Sequence, residues 1–225
     1  MERDRKPDLK GRLGTTGTGC GPANADRALR ILKVARNVKE LEIFLTDVPG
    51  ELHEALDRGD EIMVEGTQGT YLSLYHGTYP YVTSKDVTAS AICSDVGIGP
   101  KHVRDVIIVF KAYVTRVGTG PLPGELSEEE VERRGWQEIA TVTGRKRRAA
   151  PFNFDLARRA VKLNSATIIA LTKLDRVFPE TKGVRDFDKL SDRAQEFVRE
   201  IERKVGVPVK IISTGPDTAD TIDLR

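Results

Sequence analysis

The last third of the chain constrains the fold most. Two short apolar runs, Ala166 to Leu171 and Val207 to Ile212, flank a strongly amphipathic stretch. Each run has strand length, and the first has the near-continuous apolarity of a strand buried on both faces. Between them Leu190, Ala194, Phe197, Val198, Ile201 and Val205 recur at helical spacing, with Ser191 as N-cap and Gly206 as the stop. A further helix is expected from about Asp155 to Leu163. Helices alternating with short apolar strands predict an α/β fold with a mainly parallel central sheet flanked by helices.

The rest of the chain reads less sharply. Residues 1–13 form a polar arm. A helix is expected from about Ala23 to Ala35, a second from Pro49 to Arg58 stopped by Gly59, and a short buried strand at Ile62, Met63 and Val64. Gly99-Pro100 opens a stretch in which Val103, Val106, Ile107 and Phe110 fall at helical spacing, so a helix with a core-facing side is expected there. A strand near Ala112 to Val117 follows. With 225 residues and no internal shift of composition, residues 1–225 read as a single domain.

Composition narrows the function class. The 36 basic and 34 acidic residues nearly cancel, so any affinity for anions must come from local clusters, and general nucleic-acid binding is disfavoured. Two cysteines, Cys20 and Cys93, supply neither a disulfide scaffold nor zinc spacing, which fits a reducing cytoplasm. No stretch approaches the roughly 18–20 apolar residues of a membrane span. The charged start, Met1 to Lys6, is unlike a signal peptide.

In open α/β sheets ligands bind beyond the carboxyl ends of strands, so the loops there carry the candidate chemistry. Thr172-Lys173-Leu174-Asp175 follows one strand: a carboxylate there can accept from N1 and N2 of guanine while the lysine stem covers the ring. A surface loop with two ordinary charges is the plainer reading. Ser213-Thr214-Gly215-Pro216 follows the other strand, and its small residues let a flat base approach the backbone or simply make a turn. Thr143-Gly144-Arg145-Lys146-Arg147-Arg148 suits a carboxylate or phosphate through guanidinium forks; the run lacks the aromatic residues of a nucleic-acid face. Gln68, between Gly66 and Gly69, either offers its amide to a purine or caps a turn. Gly14 to Gly21 precedes a helix and could cradle phosphate through backbone N–H groups. No Gly-Lys dipeptide occurs, which excludes a G-x-x-x-x-G-K-[ST] phosphate loop from these residues. The histidines His53, His76 and His102 lack metal spacing.

Taken together, these segments resemble adenylosuccinate synthetase from Gly14 to Asp220. The most specific blocks are Glu65 to Thr83, with its Gln-Gly-Thr and His-Gly-Thr-Tyr-Pro-Tyr-Val-Thr, then Lys111 to Gly118, and Thr143 to Arg148. The resemblance implies a relative of the P-loop NTPase fold without its phosphate loop, and a GTP-dependent carbon–nitrogen ligase that joins IMP to L-aspartate with Mg²⁺ and works as a cytoplasmic homodimer. It implies IMP contacts at Thr16, Arg30, Gln68, Thr83 and Arg145, with Arg30 reaching the other subunit's IMP. Aspartate contacts fall on Thr143, Arg145 and Arg147. GTP contacts fall on Arg147, Lys173, Asp175, Ser213, Thr214 and Gly215.

Three departures accompany it. Val142 stands where the family often has a second threonine, and the stretches after Asp175 and between Arg30 and Glu61 are short, as in the compact archaeal form. The family's phosphate loop, its magnesium ligands and its catalytic acid and base are expected upstream of residue 1. The resemblance leaves two further readings open: a non-catalytic regulatory protein that binds GTP and IMP, and a relative that uses dGMP to make a diaminopurine precursor.

Overall fold

A computed structural model of the chain describes residue 11 and residues 13–141 and 144–225. They form two compact units: a helical unit, 17–104, and a sheet unit, 105–225 together with the described residues up to 16.

The helical unit carries α1 (Cys20–Ala28), α2 (Val48–Asp57) and α3 (Ala89–Val96), joined by loops and short 3-10 segments. α1 stops seven residues short of the expected Ala35. The Ile31 N–H bonds back to the Asp26 carbonyl and the Arg30 N–H to that of Arg27, both at 3.0 Å, with Arg30 left-handed at φ 64°. These crossed bonds close a helix, although the closing residue here is arginine rather than glycine. Leu29 and Ile31, whose apolarity suggested continuation, are exposed. α2 matches its expectation and is closed by Gly59 at φ 80°.

The buried strand expected at Ile62 to Val64 is absent: Met63 is 89% exposed, and this run pairs with no strand of the described residues. A three-residue apolar run without a ladder partner has nothing to fix it in a sheet. The loop beyond it is held at its base by Asp86. Buried Ser73 donates Oγ–H to Asp86 Oδ1 at 2.6 Å, Thr88 donates its hydroxyl to Oδ2 at 2.8 Å, and the Val87 N–H adds a third bond at 2.8 Å. Within that loop Gly77 packs so tightly that a Cβ would lie 2.4 Å from the Tyr71 carbonyl oxygen.

The sheet unit contains, in chain order, β1 (Ile107–Lys111), β2 (Tyr113–Arg116), α4 (Glu128–Arg133), β3 (Arg148–Pro151), α5 (Phe154–Asn164), β4 (Ile168–Thr172), α6 (Leu174–Val177), α7 (Asp192–Val205), β5 (Val209–Ser213) and β6 (Thr221–Asp223). The main sheet has the order β1-β4-β5-β6, in which β1, β4 and β5 are parallel and β6 is antiparallel. β2 and β3 form a separate antiparallel pair. The alternation in the sequence thus yields the mainly parallel α/β architecture it predicts.

The helix expected after Gly99-Pro100 is wrong. Only a 3-10 turn forms at Pro100–His102, and Ile107 to Lys111 is strand. Four consecutive β-branched or aromatic residues, Ile107 to Phe110, favour a pleated strand, and their pairing with β4 overrides a helical spacing that was coincidental. α7 follows its predicted stripe: Ser191 Oγ accepts the Ala194 N–H at 3.4 Å, Gly206 turns left-handed at φ 80°, and Ala194, Val198, Ile201 and Val205 are buried. They pack with Ile169, Leu171 and Ile212 of the sheet, each wholly buried. A fully buried side chain of this kind contributes roughly 1.5–3 kcal/mol, so this layer dominates the unit's stability. No helix of the described residues is long and apolar enough to cross a membrane.

Candidate functional site

Because β1, β4 and β5 are parallel, Lys111, Thr172 and Ser213 end their strands on one edge of the sheet. The Thr172 hydroxyl donates to the Phe110 carbonyl at 3.1 Å, tying two of these ends together. Lys173 leaves β4 left-handed, at φ 63°, as the N-cap of α6, and this turn places Asp175 in the first helical turn. The Asp175 carboxylate accepts no hydrogen bond from a described side chain, so it can meet a ligand donor without breaking the fold.

After β5, Ser213 donates Oγ–H to the Gly215 carbonyl at 2.9 Å. Thr214 is fully buried, and its hydroxyl donates to Val184 O at 2.7 Å; its N–H and carbonyl bond to Asp220 and Gly183. These commitments make Thr214 a brace for the turn that carries Ser213 and Gly215. Gly215 is small for a packing reason as well: a Cβ would come 2.2 Å from Asp220 Oδ2.

The basic run forms one arm of a hairpin. Ile139 bridges Lys146, the Arg147 N–H bonds to Glu138 O at 2.8 Å, and the Ala140 N–H to Arg145 O at 2.9 Å. Thr143 and Val142 lie outside the described residues. Arg145 donates Nη1–H to Gly14 O at 2.8 Å, whereas its Nη2 is buried with no hydrogen-bond partner among the described residues. An unsatisfied buried donor costs about 1–3 kcal/mol, more when charged, and an anionic ligand oxygen would remove that cost.

The arginine at the end of the run does other work. Arg148 donates to the carbonyls of Gly118 and Gly120, each at 2.9 Å, and pairs with Glu125. It therefore shapes the turn after β2, which lies against Gly14: a Cβ on Gly118 would sit 2.9 Å from Gly14 O. Lys146 is exposed. The run thus divides into two ligand candidates, Arg145 and Arg147, one structural arginine and one solvated lysine.

Sequence reading missed the group beneath this arm. Glu138 accepts from Lys111 Nζ at 2.6 Å on Oε2 and from the Tyr113 hydroxyl at 2.8 Å on Oε1, and Arg147 Nε stands 3.5 Å from Oε2. Burial pushes the Glu138 carboxyl up, but the hydrogen bonds from Lys111 and Tyr113 and the charges of Lys111 and Lys173 outweigh it and hold it below the ordinary value. Burial pulls the Lys111 ammonium down; Glu138 opposes this, and Arg147 and Lys173 add to it. Three cations thus face one carboxylate, and the excess positive charge favours anions. Trp136 stacks on Tyr113 with centroids 4.6 Å apart and donates Nε1–H to Arg176 O at 2.9 Å, linking this cluster to the Lys173 loop. The available signal was Lys111, a cation ending an apolar strand.

In the helical unit Gln68 is left-handed, φ 64°, and its Oε1 accepts the Thr67 hydroxyl at 2.6 Å. The Thr83 N–H donates to Leu72 O at 2.7 Å, and exposed Arg30 donates to Ala28 O at 3.1 Å. In the sheet unit Thr16 is exposed. Among the described residues, the non-glycine residues with positive φ are Arg30, Gln68, Ser165 and Lys173. Gln68 and Lys173 are singled out in the sequence by their chemistry, and Arg30 through the family resemblance. Such backbone costs on the order of 1 kcal/mol and concentrates at ligand sites, which suits a ligand role for Gln68 and Lys173, whereas at Arg30 it closes α1.

Gly19 caps α1 without a side-chain hydrogen bond. Among the described residues no group of three or more His, Cys, Asp or Glu could hold a metal ion.

The family model for adenylosuccinate synthetase matches residues 30–182 and 178–222. The chain is 60% identical over 217 residues to an adenylosuccinate synthetase of Thermococcus sibiricus, covering 96% of this chain and 64% of that protein. It is 59% identical over 223 residues to one of Methanocaldococcus jannaschii, covering 99% and 65%. The chain thus spans slightly under two thirds of the length of these curated relatives. Among solved structures, the fully ligated adenylosuccinate synthetase from Plasmodium falciparum has the same fold, with a TM-score of 0.83 at 24% identity over 95% of this chain and 71% of that one. With a mainly parallel sheet, the Lys173–Asp175 turn at one of its strand ends, and a family model that matches residues 30–182 and 178–222, the chain belongs to the adenylosuccinate synthetase family.

Proposed function

We propose that this protein is a GTP-dependent ligase that joins IMP to L-aspartate to give adenylosuccinate, GDP and phosphate. The observation that carries the reading is the buried Arg145 Nη2, left without an acceptor beside an arm whose cations outnumber its carboxylate. In this reading Arg145 and Arg147, with Thr143, hold the aspartate carboxylates, which planar guanidinium forks suit. Arg147 also reaches the GTP ribose. Asp175 accepts from guanine N1 and N2, Lys173 covers the ring, and Ser213 and Gly215 line its edge. Thr16, Arg30, Gln68, Thr83 and Arg145 contact IMP, Arg30 doing so in the partner subunit of a homodimer.

The catalytic acid and base, and the magnesium ligands, are assigned to no residue of this chain. In this scheme residues 1–225 act as a single substrate-positioning α/β domain, working in the cytoplasm.

The test is absorbance at 280 nm during incubation of the natural-length protein with IMP, aspartate, GTP and magnesium. GTP-dependent adenylosuccinate formation is expected, with dGMP a poor replacement for IMP. Tight binding of GDP and IMP without turnover would instead establish a regulatory protein.

A further inference from the structure

We propose that Glu138 is a positioning residue, holding Arg147 by its Nε edge so that the two terminal nitrogens of the guanidinium face a ligand carboxylate. The proposal rests on the reading of Arg147 as an aspartate contact. Three features of the geometry lead to it. Glu138 meets Arg147 twice, at the backbone, where its carbonyl accepts the Arg147 N–H at 2.8 Å, and at the side chain, where Oε2 stands 3.5 Å from Nε. The ion pair's nearest approach is therefore at Nε, the inner edge of the guanidinium.

Glu138 is itself fixed from beneath. Tyr113, wholly buried, holds Oε1 at 2.8 Å, and Lys111 holds Oε2 at 2.6 Å while also donating to Thr115 Oγ1 at 2.7 Å. The Glu138 side chain is only 16% exposed, against 33% for Arg147. The carboxylate is thus the rigid member of the pair, and the arginine is the one that faces outward. A carboxylate placed purely for stability would need no arginine on its solvent side, because Lys111 already neutralises it. Long side chains lose much rotamer freedom on binding, and a pre-set guanidinium avoids part of that loss.

The test substitutes Glu138→Gln in the natural-length protein, which preserves shape and the acceptor for Tyr113 but removes the charge. The KM for aspartate is expected to rise about tenfold while kcat and the KM for IMP stay within about twofold. Equal changes in every constant, or an unchanged KM for aspartate, would overturn the proposal.

A second readout is independent of activity. In ¹⁵N NMR spectra the Arg147 Nε–H signal should exchange slowly in the unsubstituted protein and at least tenfold faster in Glu138→Gln. Tyr113→Phe, which keeps the charge but frees one carboxylate oxygen, should move both readouts the same way by a smaller factor. Unchanged exchange in both variants refutes the anchoring. If the unsubstituted protein shows no synthetase turnover while the exchange rates behave as described, the proposed function fails and the anchoring of Arg147 stands.

Discussion

Replacing Asp175 with asparagine separates the guanine-pocket reading from a merely structural role for the turn after β4. Asp175 lies in the first turn of α6 and accepts no hydrogen bond from a described side chain, so Asp175→Asn removes no internal contact. Its effect on stability should stay within about 0.5 kcal/mol, as for other such partly exposed sites. The effect on ligand should be large. Hydrogen bonds to a charged acceptor contribute about 1.5–3 kcal/mol each, and guanine offers two donors to this carboxylate. Asparagine keeps one acceptor and turns its amide N–H₂ toward the other donor, which leaves a loss of about 3 kcal/mol, or about 100-fold in affinity for GDP. Xanthine carries a carbonyl where guanine has its amino group, so the same variant should bind XDP more tightly than GDP. Isothermal titration with GDP, XDP and ADP, alongside thermal melting, measures both quantities. A Kd for GDP unchanged within threefold in a stably folded variant would refute the role of Asp175.

Other consequences concern the framework. Leu171→Ala, at a wholly buried position of β4, should lower unfolding free energy by about 2–5 kcal/mol in chemical denaturation, and a loss below 1 kcal/mol would contradict the core as described. Gly206→Ala should cost about 1 kcal/mol although a Cβ there meets nothing within 4 Å, because the residue is left-handed at φ 80°; no change in melting temperature would remove the conformational explanation. For Asp86, burial pushes the carboxyl up, but the bonds from Ser73 and Thr88 and the Val87 N–H hold it below its ordinary 3.8. A folded pKa below the unfolded one stabilises the protein above the unfolded value and loses that stabilisation as pH falls through the folded value. The melting-temperature gap between the unsubstituted protein and Asp86→Asn should therefore be widest near neutrality and shrink below about pH 4, and a constant gap would exclude the linkage.

The sequence was most legible where period and punctuation agreed. α7 carries an apolar stripe, a serine cap and a terminal glycine, and each is found where local physics puts it. β4 and β5 were legible because apolar runs of that length between helices have few other places to go. Legibility failed where a single cue stood alone. Ile62 to Val64 has strand composition but no ladder partner among the described residues, and Val103 to Phe110 has helical spacing in residues that β4 pairs as strand.

The candidate site divides in the same way. Lys173 and Asp175 could be picked out as charged groups in a loop just after an apolar strand, and Arg145 and Arg147 as guanidinium groups in a dense basic run. Glu138 could not, since its meaning depends on Lys111 and Tyr113, 27 and 25 residues away, being brought beneath it. Thr214 and Arg148 show the converse: tertiary contacts to Val184, Asp220, Gly118 and Glu125 engage the polar groups that the sequence displays, which no local pattern announces.

Chemical-shift mapping on isotope-labelled protein most directly probes whether the carboxyl edge of the parallel sheet receives the ligands. Addition of GDP should shift the amides of residues 172–176 and 213–215, and subsequent aspartate those of 144–147 together with the Arg145 and Arg147 side-chain signals. Shifts confined instead to the open depression on α7 lined by Phe178, Arg193 and Phe197 would place binding elsewhere and contradict the assignment.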